Sequence, residues 1–290
     1  MISVHHREAT IDGHRIFYRE AGPSEAPVIV LLHGYPTSSF MFRELIPRLA
    51  PHWRVIAPDH LGFGLSDAPS VEDFDYTFDA LADITAGLLG HLDVAKYAIY
   101  VQDYGAPIGW RLALRDPQAI TAIITQNGNG YDDGFVDEFW APVWDYQREQ
   151  NTHTEAAIRE ALSIEAIRWQ YTHGVADPSV VSPDTWHHDH ALVSRPGNDL
   201  IQLKLFRDYA TNPPLYPRLH EYLRATQVPV LAVWGNEDEI FGPAGALAFK
   251  NDVPDAEVHL IEGGGHFLLE SHGEVVADTI SHFMSRKIVA

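Results

Sequence analysis

Short apolar runs without polar alternation recur along the chain, and they restrict its architecture more than any other feature: "VIVLL" at Val28 to Leu32, "VIA" at Val55 to Ala57, "YAIYV" at Tyr97 to Val101 and "AIIT" at Ala122 to Thr125. A strand with one wet face alternates apolar and polar residues. Runs that do not alternate are buried on both faces, as parallel strands covered by helices are. Helical patterns fill the intervals: Phe78, Leu81, Thr85, Leu88 and Leu92 fall three or four apart, and Ile108, Leu112 and Arg115 repeat that spacing later. The expected fold is α/β, a mostly parallel central sheet flanked by helices.

This rhythm stops near Gly128. From about Tyr131 to Leu219 the chain is rich in Trp, Tyr, His and Pro, with helical stretches such as "EAAIREALSIEAIRWQY" and no convincing central strand. It resumes with "VPVLAVW" at Val228 to Trp234 and "EVHLI" at Glu257 to Ile261, then a last amphipathic helix carrying Val276, Ile280 and Phe283. One core formed by residues 1–130 and 220–290, interrupted by a helical cap over 131–219, explains this order better than two tandem domains.

With 290 residues, 46% of them apolar, the chain can bury a substantial core. Twenty basic against forty acidic residues give a formal charge of −20, which repels phosphate backbones and anionic membrane surfaces. Neither nucleic acid nor a membrane is an expected partner. There is no cysteine, so no thiolate metal site or thiol nucleophile is available. The opening "MISVHHREATIDG" lacks a signal-peptide pattern, and a cytoplasmic location is the default expectation.

The strand "YAIYV" leads through Gln102 and Asp103 into a turn with Gly105 and Pro107, and then a helix. Asp103 therefore occupies the tip of a strand–turn–helix elbow, beside free N–H groups at a helix start. On its own it reads equally well as a helix N-cap. Two later residues change the balance: Asp238 lies just beyond the strand end of "VLAVWGNEDEIFGP", and His266 follows three glycines beyond the next strand. Reactive groups gather outside the carboxyl ends of parallel strands, and the order nucleophile, acid, histidine is that of a known hydrolase scaffold.

Five motifs carry a resemblance over almost the full length: "LLHGYPTSS" from Leu31, "APDHLGFGLSD" from Ala57, "VQDYGAP", "WGNEDEIFGP" from Trp234 and "GGGHFLLE" from Gly263. The chain resembles an α/β-hydrolase of the aspartate-nucleophile branch, whose best-known members are epoxide hydrolases and haloalkane dehalogenases. The resemblance implies an α/β-hydrolase core with the helical cap inserted after the sixth strand, no metal or other cofactor, and a small apolar electrophile and water as partners. It implies Asp103 as nucleophile, His266 as base and Asp238 as its orienting acid, with backbone N–H groups of Tyr35 and Tyr104 as oxyanion donors. An aspartate, with a reference pKa of about 3.9, is ionised at neutral pH and attacks a tetrahedral carbon without a base. The product is an ester on the enzyme, which a His266-activated water then hydrolyses.

The leaving group separates the branches. An epoxide oxygen needs a proton, which family epoxide hydrolases supply from cap tyrosines. "FRDYATN" around Tyr209 resembles the segment carrying one of them, and Tyr171 in "RWQYTHG" lies near where the other should fall; Tyr146 and Tyr216 also lie in the insertion. Haloalkane dehalogenases place a tryptophan after the nucleophile and Asn or Glu after "HG", where this chain has Tyr104 and Tyr35. These departures favour the epoxide hydrolase over the dehalogenase, with a non-catalytic ligand receptor as a remote alternative. Trp169 and His33 are expected at the substrate pocket, Trp169 as a halide donor and His33 more as an organiser of the oxyanion loop than a catalyst.

Three further features are set aside. Ser66 in "GLSDA" lacks the strand–turn–helix context of a nucleophile. The "GFG" at Gly62 to Gly64 is too short for a dinucleotide fingerprint. The "WHHDH" run, His187 to His190 after Trp186, fits no common zinc spacing and reads as a polar cap loop.

Overall fold

The computed structural model describes residues 2–288. Its sheet has eight strands: β1 (His5–Ile11), β2 (His14–Ala21), β3 (Val28–Leu32), β4 (Arg54–Pro58), β5 (Tyr97–Val101), β6 (Ile120–Thr125), β7 (Val230–Gly235) and β8 (Glu257–Ile261). They lie in the order β1-β2-β4-β3-β5-β6-β7-β8. From β4 onward across the sheet all pairings are parallel; β1 and β2 add an antiparallel edge. Helices α1 (Leu45–Leu49), α2 (Phe78–His91) and α3 (Gly105–Arg115) connect the first strands, α10 (Pro243–Asp252) connects β7 to β8, and α11 (Leu268–Lys287) follows β8. Between β6 and β7 run six more, α4 (Asp137–Arg148), α5 (Thr152–Glu160), α6 (Ile164–Thr172), α7 (Pro183–Val193), α8 (Asn198–Asp208) and α9 (Tyr216–Thr226).

The unalternating runs are explained by what each face meets. Val30, Ile99, Val101, Ile123 and Val230 face a core built with α2, α3, α9 and α10. Their neighbours Ile29, Ala98, Tyr100, Ile124 and Leu231 face an opposite core built with α1 and α11. Each strand is apolar throughout because successive side chains enter different cores.

The β1–β2 hairpin was not among the expected strands, because its residues are half exposed and carry His, Arg and Glu. Its signal was the Asp12-Gly13 pair, whose positive φ values of 48° and 85° make the two-residue turn that joins right-twisted strands. The helical stretch "EAAIREALSIEAIRWQY" divides between two helices, α5 and α6, parted at Ala161 to Ser163, where the Ser163 side chain caps α6 through the Ala166 N–H. The "WHHDH" run is not a loop but part of α7, started by a Ser182 cap and Pro183 in its first turn. Among the described residues no helix is long and apolar enough to cross a membrane.

Candidate active site

β5 lies at the centre of the sheet, and Asp103 follows its end at a φ of +47°, in the left-handed region that side chains other than glycine rarely adopt. Two close approaches make that elbow possible. A Cβ on Gly34 would sit 2.3 Å from the Asp103 Cβ, and one on Gly105 would sit 2.1 Å from the Leu32 carbonyl oxygen. Behind the elbow, Val101 takes space that Gly109 of α3 leaves open: a Cβ there would meet the Val101 Cγ1 at 2.5 Å.

The Asp103 carboxylate does not cap α3. Its Oδ1 accepts the Tyr35 N–H at 2.7 Å, and the Tyr104 N–H also faces it. Burial is the main influence on this carboxyl and raises it above the ordinary carboxylate range, against the opposing pull of His266 and the two N–H donors.

His266 follows the three glycines after β8, and its Nδ1 lies 2.9 Å from the Asp238 Oδ2. A carboxylate only accepts, so Nδ1 carries the proton and Nε2 is the basic face. That Nε2 is 3.9 Å from the Asp103 Oδ2. Burial works to lower the imidazole, but the charges of Asp238 and Asp103 and the Asp238 hydrogen bond outweigh it and raise it above its ordinary value. Asp238 is held in turn by the Ile240 N–H at 2.8 Å on Oδ1 and the Asn127 amide at 2.7 Å on Oδ2. The structure thus brings together three expected residues from three strand ends.

The two N-terminal motifs brace the loop that carries Gly34 and Tyr35. His33 Nε2 accepts the His60 N–H at 3.0 Å, which leaves Nδ1 to donate to the Gly34 carbonyl at 2.9 Å. Burial lowers His33 to about 4, so it stays neutral. It lies under the loop as an organiser and is fully buried. Asp59 accepts the Ser39 and Leu65 N–H groups, and the Ser66 hydroxyl donates to the Asp59 carbonyl while accepting the Phe17 N–H. Ser66 is bound within the core.

The insertion places its tyrosines differently. Tyr209, in a 3-10 turn after α8, packs edge-on against Phe78 and lies 5.9 Å, centroid to centroid, from the ring of Tyr104, which follows Asp103. Burial, then the nearby Tyr216 and the Asp103 charge, push its phenol well above the ordinary value and keep it protonated. The Tyr171 hydroxyl is instead committed to the Asp189 Oδ2 at 2.5 Å, and its ring stacks on Phe267, next to His266, at 4.0 Å. Burial raises Asp189 to about 8. Trp169 stacks between Phe139 and His173 and lines a cavity of about 520 Å³ with Val136, Glu138 and Glu239, a lining that does not include Asp103.

Three residues around the triad had no signal in sequence reading. Asn127, at a φ of +48° beyond β6, donates to Asp238 and accepts the Gly235 N–H. Gln126 donates to the His266 carbonyl. Gln102 places its amide nitrogen 2.9 Å from the His266 Nε2.

The sequence profile of the α/β hydrolase fold family matches residues 27–273. The chain is 42% identical to an uncharacterized hydrolase of Saccharomyces cerevisiae over 97% of each chain. It is 27% identical to a cis-3-alkyl-4-alkyloxetan-2-one decarboxylase of Shewanella oneidensis, over 94% of this chain and 86% of that relative. The crystal structure of a haloalkane dehalogenase from Bradyrhizobium elkani superposes with a TM-score of 0.79 at 26% identity, covering 99% of this chain and 100% of the other.

Proposed function

The chain belongs to the α/β-hydrolase fold family, and from that premise we propose that it hydrolyses epoxides to vicinal diols through an alkyl ester formed on Asp103. The observation that carries the proposal is the carboxylate at the elbow, with one oxygen held by the Tyr35 N–H and the other 3.9 Å from the basic nitrogen of His266. The Asp103 Oδ2 attacks an epoxide carbon, a carbon–oxygen bond forms as the ring bond breaks, and the ring oxygen takes the Tyr209 phenolic proton. Oδ1 becomes the ester carbonyl oxygen, already within reach of its donors.

His266 Nε2 then takes one proton from water as the water oxygen adds to the Asp103 Cγ, and the negative oxygen forms on Oδ1, where N–H donors stabilise it. Collapse expels the alkoxide, which takes the proton back from His266. The acid left on Asp103 loses its proton, which returns through solvent to the Tyr209 phenolate, so the sum is epoxide plus water to diol. In this reading the helices between β6 and β7 act as a cap that supplies Tyr209, and Tyr171 is held away from the leaving oxygen by Asp189. The relative named for oxetan-2-ones supports the choice of substrate class, since such a lactone, like an epoxide, is a strained oxygen ring.

Displacement of halide is the second reading, favoured by the structural match to a haloalkane dehalogenase; it uses the same ester and needs no phenol. Styrene oxide and 1-bromohexane assayed side by side distinguish the two. In a His266→Gln variant, one turnover of styrene oxide should leave one substrate mass on the peptide containing Asp103, and an unmodified peptide from both reagents sinks the covalent mechanism. Tyr209→Phe should lower diol formation by roughly 10²- to 10⁴-fold. Undiminished diol formation, or bromide release unaffected by the change with no diol formed, removes the phenol from the mechanism.

A further inference from the structure

Resting on the ester mechanism above, we infer that Gln102 is the residue that positions the hydrolytic water, holding the basic face of His266 until the water arrives and then accepting the water's second hydrogen. The residue just before the nucleophile is fully buried, and its backbone is fixed by a 3.1 Å N–H bond to the Leu32 carbonyl and by its own carbonyl, which accepts the Gly105 N–H at 2.7 Å. Its side chain is therefore delivered to one place by the elbow itself.

That place is the His266 Nε2, at 2.9 Å. Because Nδ1 donates to Asp238, the neutral ring has a single lone pair, on Nε2, and the facing group has to be the amide N–H₂. The lone pair that must accept the water proton is thus already engaged. The other end of the amide is idle: the Gln102 Oε1 is buried and has no hydrogen-bond partner. A buried acceptor without a partner is uncommon.

The hydrolytic water supplies what both ends lack. Between His266 Nε2 and the Asp103 Cγ it gives one hydrogen to the imidazole, and its second hydrogen needs an acceptor in a dry site. Rotation of the terminal amide, a broad torsion, takes the N–H₂ off Nε2 and turns Oε1 toward that hydrogen. The water oxygen then adds to Cγ as its first proton passes to His266, and Gln102 exchanges no proton. Gln102 is a positioning residue: it touches the water and the base but takes part in no bond change.

The experiment is rapid-quench mass spectrometry of styrene oxide turnover in Gln102→Met, which keeps length and burial but has no donor and only a weak thioether acceptor. Alkylation of Asp103 should proceed at the parental rate while ester hydrolysis slows about tenfold or more, so that ester accumulates with His266 intact. The acid limb of hydrolysis should also move to higher pH, because the neutral imidazole loses its donor while Asp238 still faces the charged form; Asp103, an ester at that stage, carries no charge. Equal slowing of both steps, or no slowing, overturns the role. Ester in His266→Gln but none accumulating in Gln102→Met overturns Gln102 alone, whereas ester in neither overturns the covalent reading and this inference with it. Gln102→Glu is the second variant: a carboxylate on Nε2 holds the imidazolium and should raise the hydrolysis limb by about one pH unit or more, and an unmoved limb overturns the contact.

Discussion

Asp103 and His266 face each other across 3.9 Å, and both titrate above their ordinary values for different reasons, burial for the carboxyl and two flanking carboxylates for the imidazole. In the proposed mechanism the half-reactions need opposite things of this pair. There, alkylation needs ionised Asp103, which a protonated His266 favours, and the Tyr209 proton, whereas hydrolysis of the ester needs neutral His266, against which the Asp238 charge works. Lowering the pH of the wild-type enzyme from 8 to 6 should slow hydrolysis before alkylation, so that ester builds up on Asp103; quench mass spectrometry that finds less ester at pH 6 than at pH 8 contradicts this order. The raised imidazole also stabilises the fold most below about pH 6.5, a contribution that fades as pH rises through its folded value. Asp103, Asp238 and His266 were legible because each sits at a strand end followed by a turn, a pattern written in neighbouring residues. Asn127 and Gln102 were not, since an amide's role depends on what the fold places opposite it, here Asp238 and His266 from segments more than a hundred residues away.

At the scale of elements, the elbow depends on how closely α3 lies on β5. Val101 fills space that Gly109 of α3 leaves open, since a Cβ on Gly109 would meet the Val101 Cγ1 at 2.5 Å. Gly109→Ala should destabilise the protein by about 2 kcal/mol through overpacking, and adding Val101→Ala should recover most of the loss. Urea unfolding of the four proteins in that cycle measures the coupling, and simple additivity would show that the two residues do not share the space. The parallel strands could be read because burial on both faces leaves an apolar run that no surface element imitates. The β1–β2 hairpin could not, since an edge pair exposed along one side carries His5, His6, Arg7 and Glu8 as readily as a loop does. The break between α5 and α6 was hidden for a related reason: alanine, glutamate and isoleucine on both sides of it are sound helix formers, and only the Ser163 cap marks the restart.

For the whole molecule, the formal charge of −20 acts on substrates before they arrive. A cationic epoxide should show a higher kcat/KM than an anionic one of equal size at low ionic strength, and the ratio should fall toward one as salt shortens the Debye length to about 3 Å at 1 M. A ratio indifferent to salt would place the discrimination inside the pocket. The insertion reaches the core at several separated points: the Asn198 amide donates to the Gly62 carbonyl, Asp208 accepts the Phe78 N–H, and His188 lies over Phe40. One of these contacts differs from the rest. The Tyr35 hydroxyl donates to the Ala161 carbonyl at the break between α5 and α6, while the backbone N–H of the same residue holds the Asp103 carboxylate. In the proposed mechanism that N–H stabilises the negative oxygen of ester hydrolysis, so exchanging this insertion to change what the pocket accepts would also pull on an atom that sets the reaction rate, and selectivity and turnover would be inherited together rather than traded as separate parts.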